Sequence, residues 1–296
     1  MSDKRLLCLG YGYVARRLAR DLTAKGWRIA GTLRGAAKAA LLEDDGVEPV
    51  LWAGGVLGPH AFDRTTAILI STPPDEGGCP ALAAAQIAIA ERASELSWIG
   101  YLSTNGVYGD HGGAWVDETS PLKATSARAK NRINAERQWA EFAEAHGLPL
   151  VIFRLPGIYG PGRSALDAVR EGRAQRIVKE GQTFSRAHVD DIAAALHASL
   201  ENPAAGGLFN IADDEPAPQH AVVEFASALL GVPPPPLVPL EKANLSDMAR
   251  SFYDDNKRVS NALMKARLSP ALKFPTYREG LRAVFEDERA PIPIQD

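Results

Sequence analysis

The chain has 296 residues, of which 46% are hydrophobic and 23% are charged, a composition typical of an ordinary globular protein. The formal net charge of −3 and the lack of a long basic run give no electrostatic reason to expect a nucleic acid or a membrane as a partner. No apolar run approaches the roughly 18 residues that a membrane span needs. The two cysteines, Cys8 and Cys79, belong to no CxxC or Cys/His cluster, so we expect a cytoplasmic protein without a metal site.

The first half of the chain alternates short apolar runs with helical patterns. The first predicted helix carries apolar residues at Val14, Leu18 and Leu22 and ends at Gly26. Strands are predicted over residues 6–10, 27–32, 47–52, 66–71, 98–103 and 148–155, and further helices over 80–96 and 126–146. Alternation of this kind predicts an α/β fold with a doubly wound parallel sheet of the Rossmann type.

The pattern changes after about residue 156. A Gly/Pro loop is followed by predicted helices over 164–172 and 188–200, a strand over 207–212, and then helices and proline-rich connections. We predict a dinucleotide-binding core of residues 1–160 that is completed by 186–212. Residues 161–185 and 213–296 are expected to form a smaller C-terminal substrate lobe over the edge of the sheet where ligands bind, ending in a loosely held tail over 290–296.

The first strand leads directly into a glycine motif, Gly10-x-Gly12-x-x-Ala15. The first glycine permits a tight turn, the second leaves room for a pyrophosphate, and Ala15 lets the helix pack closely on the strand. The N–H groups at the start of a helix attract such an anion. We therefore predict that residues 10–15 bind a dinucleotide, with Tyr11, Tyr13 and Val14 as the intervening residues.

The end of the second strand indicates which dinucleotide is bound. An NAD site places an acidic residue there to bind the ribose 2′-hydroxyl, but the segment here is Gly31-Thr32-Leu33-Arg34. Arg34 is able to pair with a 2′-phosphate and Thr32 to donate a hydrogen bond to it. We therefore expect NADP as the cofactor, with NAD as the less favoured choice. The alternative for Arg34 is a solvated residue before the next helix.

Three further motifs, LSTNGVYGDHGGAWVDETSP (102–121), RLPGIYGPGR (154–163) and FSRAHVDDIA (184–193), occur in order after the glycine loop. Together they resemble the extended short-chain dehydrogenase/reductase superfamily, which includes sugar-nucleotide epimerases, dehydratases and reductases. The C-terminal KRVSNALMKARLSP and FPTYREGL are similar to an atypical branch described as NAD-dependent epimerase/dehydratase. A homodimer, common in the superfamily, is a possible assembly by analogy.

The resemblance implies further cofactor contacts. It places the loop after the fourth strand against the phosphates and ribose, Ser103 at the cofactor, and the loop after the strand over 148–155 near the carboxamide. The residues in the two loops are Ser71, Thr72 and Pro73, and Leu155, Pro156, Gly157 and Ile158. The aspartate that often touches adenine after the third strand is absent, because the local sequence is Trp52-Ala53-Gly54.

The resemblance also implies a catalytic Ser or Thr, met here by Thr104, and a Tyr–Lys pair on the next helix. Counting about 24 residues from Thr104 gives Arg128, and four further gives Arg132. A rival register pairs Ser126 with Lys130. With 100° per residue, Arg128 and Arg132 fall on the apolar arc of the helix, whereas Ser126 and Lys130 fall on the polar side. The first register is favoured, so the Tyr–Lys pair is absent.

Arginine does not replace tyrosine as a proton donor, because its pKa is above about 12. It is able to bind a phosphate, a carboxylate or the ribose, and to stabilise an oxyanion. Glu136, one turn after Arg132, could pair with it. The alternative is that Arg128, Arg132 and Glu136 form a structural ion network at the sheet edge.

Other side chains near the expected site are poor candidates for an acid or a base. Tyr108 and Tyr159 are more simply explained as packed loop aromatics, and Tyr101 as a core residue. His188 is better explained as a hydrogen-bonded junction residue, with Asp190 or Asp191 capping the following helix.

Asp117 and Glu118, which follow the VYG turn in WVDETSP, are expected to form a turn or to cap a loop, with substrate contact as the alternative.

The leading hypothesis is an NADP(H)-binding, reductase-like oxidoreductase that acts on a small anionic organic molecule. In this hypothesis Thr104 orients a carbonyl, and Arg128 or Arg132 grips the anion or the cofactor. The rival is a non-catalytic NADP-bound sensor or scaffold protein, which the missing Tyr–Lys pair favours. A sugar-nucleotide epimerase or dehydratase is less favoured, since those reactions depend on the absent tyrosine.

Overall fold

The computed structural model describes residues 4–268 and 271–289, so the tail expected over 290–296 lies outside the described residues. The strands, in chain order, are β1 (Arg5–Leu9), β2 (Arg28–Leu33), β3 (Glu48–Leu51), β4 (Ala67–Ile70), β5 (Trp98–Thr104), β6 (Trp115–Val116), β7 (Leu150–Leu155), β8 (Gly157–Tyr159), β9 (Arg176–Val178), β10 (Arg186–His188), β11 (Gly207–Asn210), β12 (Leu237–Pro239) and β13 (Arg258–Val259). The helices are α1 (Tyr13–Thr23), α2 (Ala39–Asp44), α3 (Pro80–Glu91), α4 (Ala127–His146), α5 (Ala165–Arg170), α6 (Val189–Glu201), α7 (Gln219–Leu230), α8 (Asp247–Ser251), α9 (Ala262–Arg267) and α10 (Tyr277–Arg289).

Seven strands form one parallel sheet in the order β11-β7-β5-β4-β1-β2-β3. The predicted α/β fold with a doubly wound parallel sheet is thereby confirmed. The strand order reverses between β1 and β4, and ligands of such sheets bind outside the carboxyl ends of the strands at this point. The ends of β1, β4 and β5 therefore mark the place where a site is expected.

Helices cover both faces of the sheet because its central strands are apolar on both sides. Along β1, Leu6 and Cys8 face the cluster that includes α1 and α6, while Leu7 and Leu9 face the cluster that includes α3 and α4. Each of these four residues is completely buried. Alternating sides along an apolar run of this kind is the pattern of a parallel sheet covered by two helical layers.

The later part of the chain forms three short parallel pairs, β8 with β10, β9 with β12 and β6 with β13. None of these strands was predicted, because runs of two or three residues carry too little periodicity to be distinguished from loops. Helices α5, α7 and α10 share a separate hydrophobic cluster centred on Leu166, Val222 and Leu281. The domain boundaries drawn from the sequence stay a prediction.

Within the described residues, no helix is long and apolar enough to cross a membrane.

Candidate functional site

The glycine loop joins β1 to α1 with its backbone open to a ligand. Gly10 has a φ of 96°, and a Cβ there would lie 2.9 Å from Ser71 Oγ and 3.1 Å from the Thr72 nitrogen. Gly12 is the N-cap of α1, has no side-chain cap, and a Cβ on it would meet no atom within 4 Å. Ala15 is completely buried. The first turn of α1 thus presents its N–H groups to open space, as a pyrophosphate site requires.

The end of β4 holds this loop in place. The Ser71 hydroxyl donates to the Gly10 carbonyl, and Thr72 Oγ1 donates to the Leu9 carbonyl at 2.8 Å. Ser71 also lines the cavity described below, whereas Thr72 and Pro73 are not among the residues that line it. Ser71 is therefore the member of the predicted trio that is placed for direct contact with a ligand in that cavity.

Tyr11 and Thr32 pack where β2 approaches the loop. The Tyr11 ring lies so close to Gly31 that a Cβ there would come within 2.9 Å of it, and the Tyr11 hydroxyl is buried without a partner. Thr32 is buried, and its hydroxyl accepts from the Gly10 N–H at 2.7 Å. Arg34, the next polar residue, is exposed, and within the described chain it makes no hydrogen bond or ion pair.

A cavity of about 740 Å³ extends from this loop to the C-terminal part of the chain. It is lined by the first turn of α1, the end of β5, one face of α4, the loop after β7 and several residues of the later segments. The sequence-predicted residues that it brings together are Gly12, Tyr13, Val14, Ala15, Ser71, Ser103, Thr104, Arg128, Arg132, Leu155, Pro156, Gly157 and Ile158. Gly10, Tyr11, Thr32 and Arg34 are not part of this lining.

Helix α4 presents to the cavity the face that its periodicity indicated. Ser126 is the N-cap, and its hydroxyl accepts from the Ala129 N–H, so that side chain has a structural use. Lys130 is exposed and outside the cavity lining, whereas Arg128 and Arg132 line it. The rival register, with Ser126 and Lys130 at the site, does not match this placement.

The two arginines differ in how many of their donors the chain uses. Arg132 is half-buried, and its Nη1 donates to the Leu102 carbonyl at 2.8 Å and to Tyr101 Oη at 3.2 Å. The N–H groups on its Nε and Nη2 have no partner in the described chain. Arg128 is exposed, and its one hydrogen-bond partner within residues 4–268 and 271–289 is the sulfur of Met248, at 3.8 Å. Since a guanidinium carries five N–H donors, both side chains retain donors for an anion.

Thr104 ends β5 beside these arginines. Its Oγ1 accepts from the Gly106 N–H at 3.1 Å, which fixes the hydroxyl and leaves its proton available for donation. The side chain is partly exposed and lines the cavity. Such a hydroxyl is able to orient a carbonyl group.

A buried ion pair lies near the two arginines, and one of its partners differs from the partner that the sequence predicted. Glu136 bonds to Arg154 of β7, with Arg154 Nη2 2.7 Å from Glu136 Oε2, and also accepts from the Ser103 hydroxyl. The expectation that Glu136 pairs with Arg132 is therefore wrong, because Arg154 reaches it from the adjacent strand. An arginine inside the apolar run LVIFRL needs a buried partner, and this signal could have identified the pair.

The tyrosines near the site are engaged in packing. Tyr108 is completely buried, donates to Asn210 Oδ1 at 2.7 Å and accepts from Arg154 Nη1 at 3.0 Å. Burial raises the pKa of Tyr101, and it also raises the pKa of Tyr159. The predictions that Tyr108 and Tyr159 are packed loop aromatics and Tyr101 a core residue are confirmed by their burial.

The start of α6 corrects one expectation. His188 is itself the N-cap, with Nδ1 accepting from the Asp190 N–H at 3.2 Å. Asp190 instead pairs with Arg17 at 2.6 Å, and Asp191 accepts from the Lys273 and Phe274 N–H groups. The two aspartates therefore tie α6 to neighbouring elements rather than cap it. Burial lowers the pKa of His188 to about 4, so it is neutral at working pH.

The acidic residues after the VYG turn are local anchors. Asp117 Oδ1 accepts from the Thr119 N–H at 3.0 Å and from the Ser120 hydroxyl at 3.0 Å, and this forms the predicted turn. Glu118 accepts from the Asn210 N–H at 2.7 Å and joins the turn to β11.

Several lining residues had no local signal in the sequence. Tyr253 and Phe252 enter from the segment after α8, and Lys257 from the residue before β13. Their positions depend on how the C-terminal segments fold back over the sheet, which no short-range pattern reports. Arg186 also lines the cavity, and it belongs to the FSRAHVDDIA motif, which could have marked it. Within the described residues, no cluster of three or more His, Cys, Asp or Glu side chains is arranged to hold a metal.

The doubly wound sheet, the open helix N-terminus and the adjoining cavity define a Rossmann-like fold with a candidate dinucleotide site. Residues 81–212 match the model of the NAD dependent epimerase/dehydratase family. That match begins after the glycine loop, so the sequence comparison and the loop geometry are separate observations that agree. Over this matched region, which is less than half of the chain, the protein is similar to the NAD-dependent epimerase/dehydratase family.

Three similar proteins match the chain over most of its length. A functionally unknown conserved protein from Silicibacter pomeroyi DSS has a solved structure that is 49% identical, with a TM-score of 0.89 over 97% of this chain and 99% of that chain. Protein YeeZ of Escherichia coli (strain K12) is 26% identical over 88% of this chain and 94% of its own length. The 3-diazoavenalumate denitrifying reductase of Streptomyces sp. is 27% identical over 91% of this chain and 96% of its own length.

Proposed function

We propose that this protein is an NADP(H)-dependent, reductase-like oxidoreductase that acts on a small anionic organic substrate without a Tyr–Lys pair. The observation that carries the proposal is the single cavity that joins the open N-terminus of α1 at Gly12 to Thr104, Arg128 and Arg132. A dinucleotide site and a set of unused cationic donors therefore face the same space.

The residues present fit a nicotinamide dinucleotide. The N–H groups after Gly12 would hold the pyrophosphate, Ser71 and Ser103 line the path beyond it, and the loop over 155–158 borders the same cavity. The choice of NADP rests on the end of β2, where no acidic residue is present to bind a 2′-hydroxyl and the exposed Arg34 has free donors for a 2′-phosphate. The family description names NAD. The proposed preference for NADP therefore departs from that description and rests on the residues at the end of β2.

The side chains at the far end of the cavity suit a carbonyl reduction. Thr104 donates a hydrogen bond to the carbonyl oxygen, and Arg132 stabilises the negative charge that develops on that oxygen. Arg128 holds an anionic group of the substrate at the cavity mouth. A bound NADPH supplies the hydride in such a reaction. Because an arginine keeps its proton at working pH, the product oxygen takes its proton from solvent.

The Streptomyces relative, whose name describes a reductase, supports reduction over the other reactions of the family. Its identity of 27% leaves its substrate a property of that protein. A sugar-nucleotide epimerase or dehydratase is less favoured, since Arg128 and Arg132 stand where a proton-transferring tyrosine and its lysine are expected.

The proposal is tested by following NADPH oxidation with a panel of carbonyl compounds that carry a carboxylate. We expect turnover by the wild type and a loss of about 10- to 100-fold in kcat/KM for Arg132→Gln, as the removal of one charge-assisted contact predicts. Lys130→Gln, on the same helix but outside the cavity, serves as the matched control and keeps full activity. No NADPH oxidation with any class of carbonyl would contradict the proposal.

A second candidate function is a non-catalytic sensor that reports cofactor binding to a partner. It is favoured by one observation, namely that the hydroxyls of Tyr101 and Tyr108 lie in buried hydrogen bonds and do not replace the missing acid. Tight NADPH binding without turnover, together with a protein partner whose affinity changes when NADPH binds, would favour this function instead.

A further inference from the structure

The mouth of the cavity combines an unpaired cation with exposed aromatic and thioether groups. Phe252 lines the cavity although its side chain is 57% exposed, and Met248, four residues earlier, is 63% exposed. Met248 lies on α8 and Phe252 is the residue that caps the C-terminus of this helix, and residues four apart at a helical turn are neighbours. Arg128 contacts the sulfur of Met248. The Arg128 guanidinium and the Phe252 ring therefore border the same opening.

The wall behind this mouth is largely apolar. It is formed by side chains of the later segments, with the Phe184 and Tyr253 rings meeting edge to face at a centroid distance of 5.2 Å. The apolar and aromatic members that matter most are Ile177, Phe184, Val223, Leu245, Phe252 and Tyr253. Uncharged polar side chains on this wall are few, namely Gln175, Thr183, Ser185 and Gln219.

This composition discriminates between classes of anion. A sugar or nucleotide presents many hydroxyl groups, each of which loses its hydration and needs a partner when it is buried. An aromatic ring needs only apolar contact and gains edge-to-face packing. A charged residue beside an apolar wall therefore matches a molecule with an anionic head and a flat apolar body.

Charge complementarity fixes the orientation of such a molecule. The charged residues that line the cavity are basic with one exception, Asp255, which is paired with Lys257 at 3.1 Å. Arg173, a further basic residue of the lining, is paired with Glu171, whereas the other lining arginines have no ion pair within the described residues. Of these, Arg128 is the one that contacts Met248, four residues before Phe252. The anionic head belongs at Arg128, and the apolar body then extends past Phe252 towards Tyr253.

We propose that the substrate half of the cavity binds aromatic carboxylates, with the carboxylate on Arg128 and the ring against Phe252 and Tyr253. The inference rests on the proposed function in giving the Gly12 end of the cavity to the cofactor, and it adds the chemical class of the substrate.

The test is calorimetric titration of the NADPH-saturated protein with four probes, namely phenylacetate, phenylacetamide, glucuronate and UDP-glucose. We expect phenylacetate to bind about tenfold more tightly than phenylacetamide, as the gain of a charge-assisted hydrogen bond predicts. We expect a similar margin of about tenfold over glucuronate, because a buried ring is favoured over unsatisfied hydroxyls.

Two variants test whether Arg128 and Phe252 cause these differences in affinity. Arg128→Gln is expected to remove the difference between phenylacetate and phenylacetamide. Phe252→Ala is expected to weaken phenylacetate about fivefold while leaving glucuronate unchanged, because only the ring loses contact area. Lys130→Gln is the control and is expected to change neither of the two differences in affinity.

The outcomes separate this inference from the proposed function. If glucuronate or UDP-glucose binds as tightly as phenylacetate, or if none of the four probes binds while NADPH does, the aromatic carboxylate site is refuted. If NADPH itself fails to bind, the proposed function fails. Binding of phenylacetate that is unaffected by both Arg128→Gln and Phe252→Ala would also overturn the inference.

Discussion

Two charged residues of helix α4 differ in how completely the chain satisfies them. Midway along the helix, Glu136 is 6% exposed and is bonded by Arg154 and Ser103. Two turns earlier, Arg128 is exposed at the cavity mouth and contacts only a thioether. A buried charge is tolerated when its hydrogen bonds are satisfied, whereas a charge with unused donors beside a cavity is available to a ligand. The same helix thus carries one charge that organises the protein and another that suits binding.

Arg132 lies between these extremes. It is half-buried, and its Nη1 is held by the Leu102 carbonyl and the Tyr101 hydroxyl, while its other donors have no partner among the residues that the structure describes. Since Glu136 fixes α4 to β5 and β7 one turn away, the ion pair sets where Arg132 stands. Rigid support of this kind is what a binding or catalytic contact needs.

The largest effect is expected at Glu136, the buried charge of α4. Glu136→Gln leaves Arg154 buried without a carboxylate partner, so we expect a loss of about 3–5 kcal/mol in the free energy of unfolding. Urea denaturation measures it. The double variant Glu136→Leu, Arg154→Met removes both charges and should recover most of the loss. A loss below about 1 kcal/mol for Glu136→Gln would show that the pair is not buried as described.

A second buried group, His188, is expected to make the stability of the protein depend on pH. It is 2% exposed, its Nε2 is buried without a partner, and burial lowers its pKa from 6.5 to about 4. The unfolded chain therefore binds more protons between these values, so the contribution of His188 to stability is full above pH 6.5 and is lost as pH falls towards 4. The loss amounts to up to about 3 kcal/mol.

Denaturation curves at several pH values test this acid sensitivity. His188→Asn keeps a capping acceptor without a titrating ring, so its stability should fall less between pH 6.5 and 4 than that of the wild type. Parallel losses in the two proteins would contradict the assignment to His188.

The groups that are open to a ligand are tested by a substitution at Gly12. A Cβ there meets no atom of the chain, and its φ of −103° is accessible to any residue. Gly12→Val should therefore preserve the fold while filling the space for a pyrophosphate, with a loss of about 100-fold in NADPH affinity. Gly58→Val, another glycine with open space around it, is the matched control. Unchanged NADPH binding by Gly12→Val would show that the cofactor does not bind at this loop.

The smallest expected effect concerns the choice of cofactor. Arg34 is exposed, so its pairing with a 2′-phosphate is screened by solvent. We expect Arg34→Gln to lower the ratio of NADPH to NADH affinity about tenfold, as the loss of one charge-assisted contact predicts. Fluorescence titration with both cofactors measures this ratio, and Lys38→Gln is the control. A wild type that prefers NADH, or an unchanged ratio, would contradict the NADP proposal.

The sequence was sufficient where a local pattern determines the structure. The buried strands of the sheet, the glycine loop and the face of α4 that carries Arg128 and Arg132 all follow from periods of two or 3.6 residues and from the turn chemistry of glycine. The predicted partner of Glu136 was wrong, because the i,i+4 rule applies to pairs within α4 and does not report Arg154 on the adjacent strand β7. Phe252 and Tyr253 reach the cavity through long-range packing, which a single sequence does not encode in any short motif.

The central claim is that cofactor and substrate anion occupy opposite ends of one cavity. The most direct measurement is a crystal structure of the protein with NADPH. The account predicts the pyrophosphate at the N-terminus of α1, the 2′-phosphate within hydrogen-bonding distance of Arg34, and the nicotinamide beside Thr104, with Arg128 left free. A complex in which the phosphates of NADPH lie on Arg128 and Arg132 would contradict it.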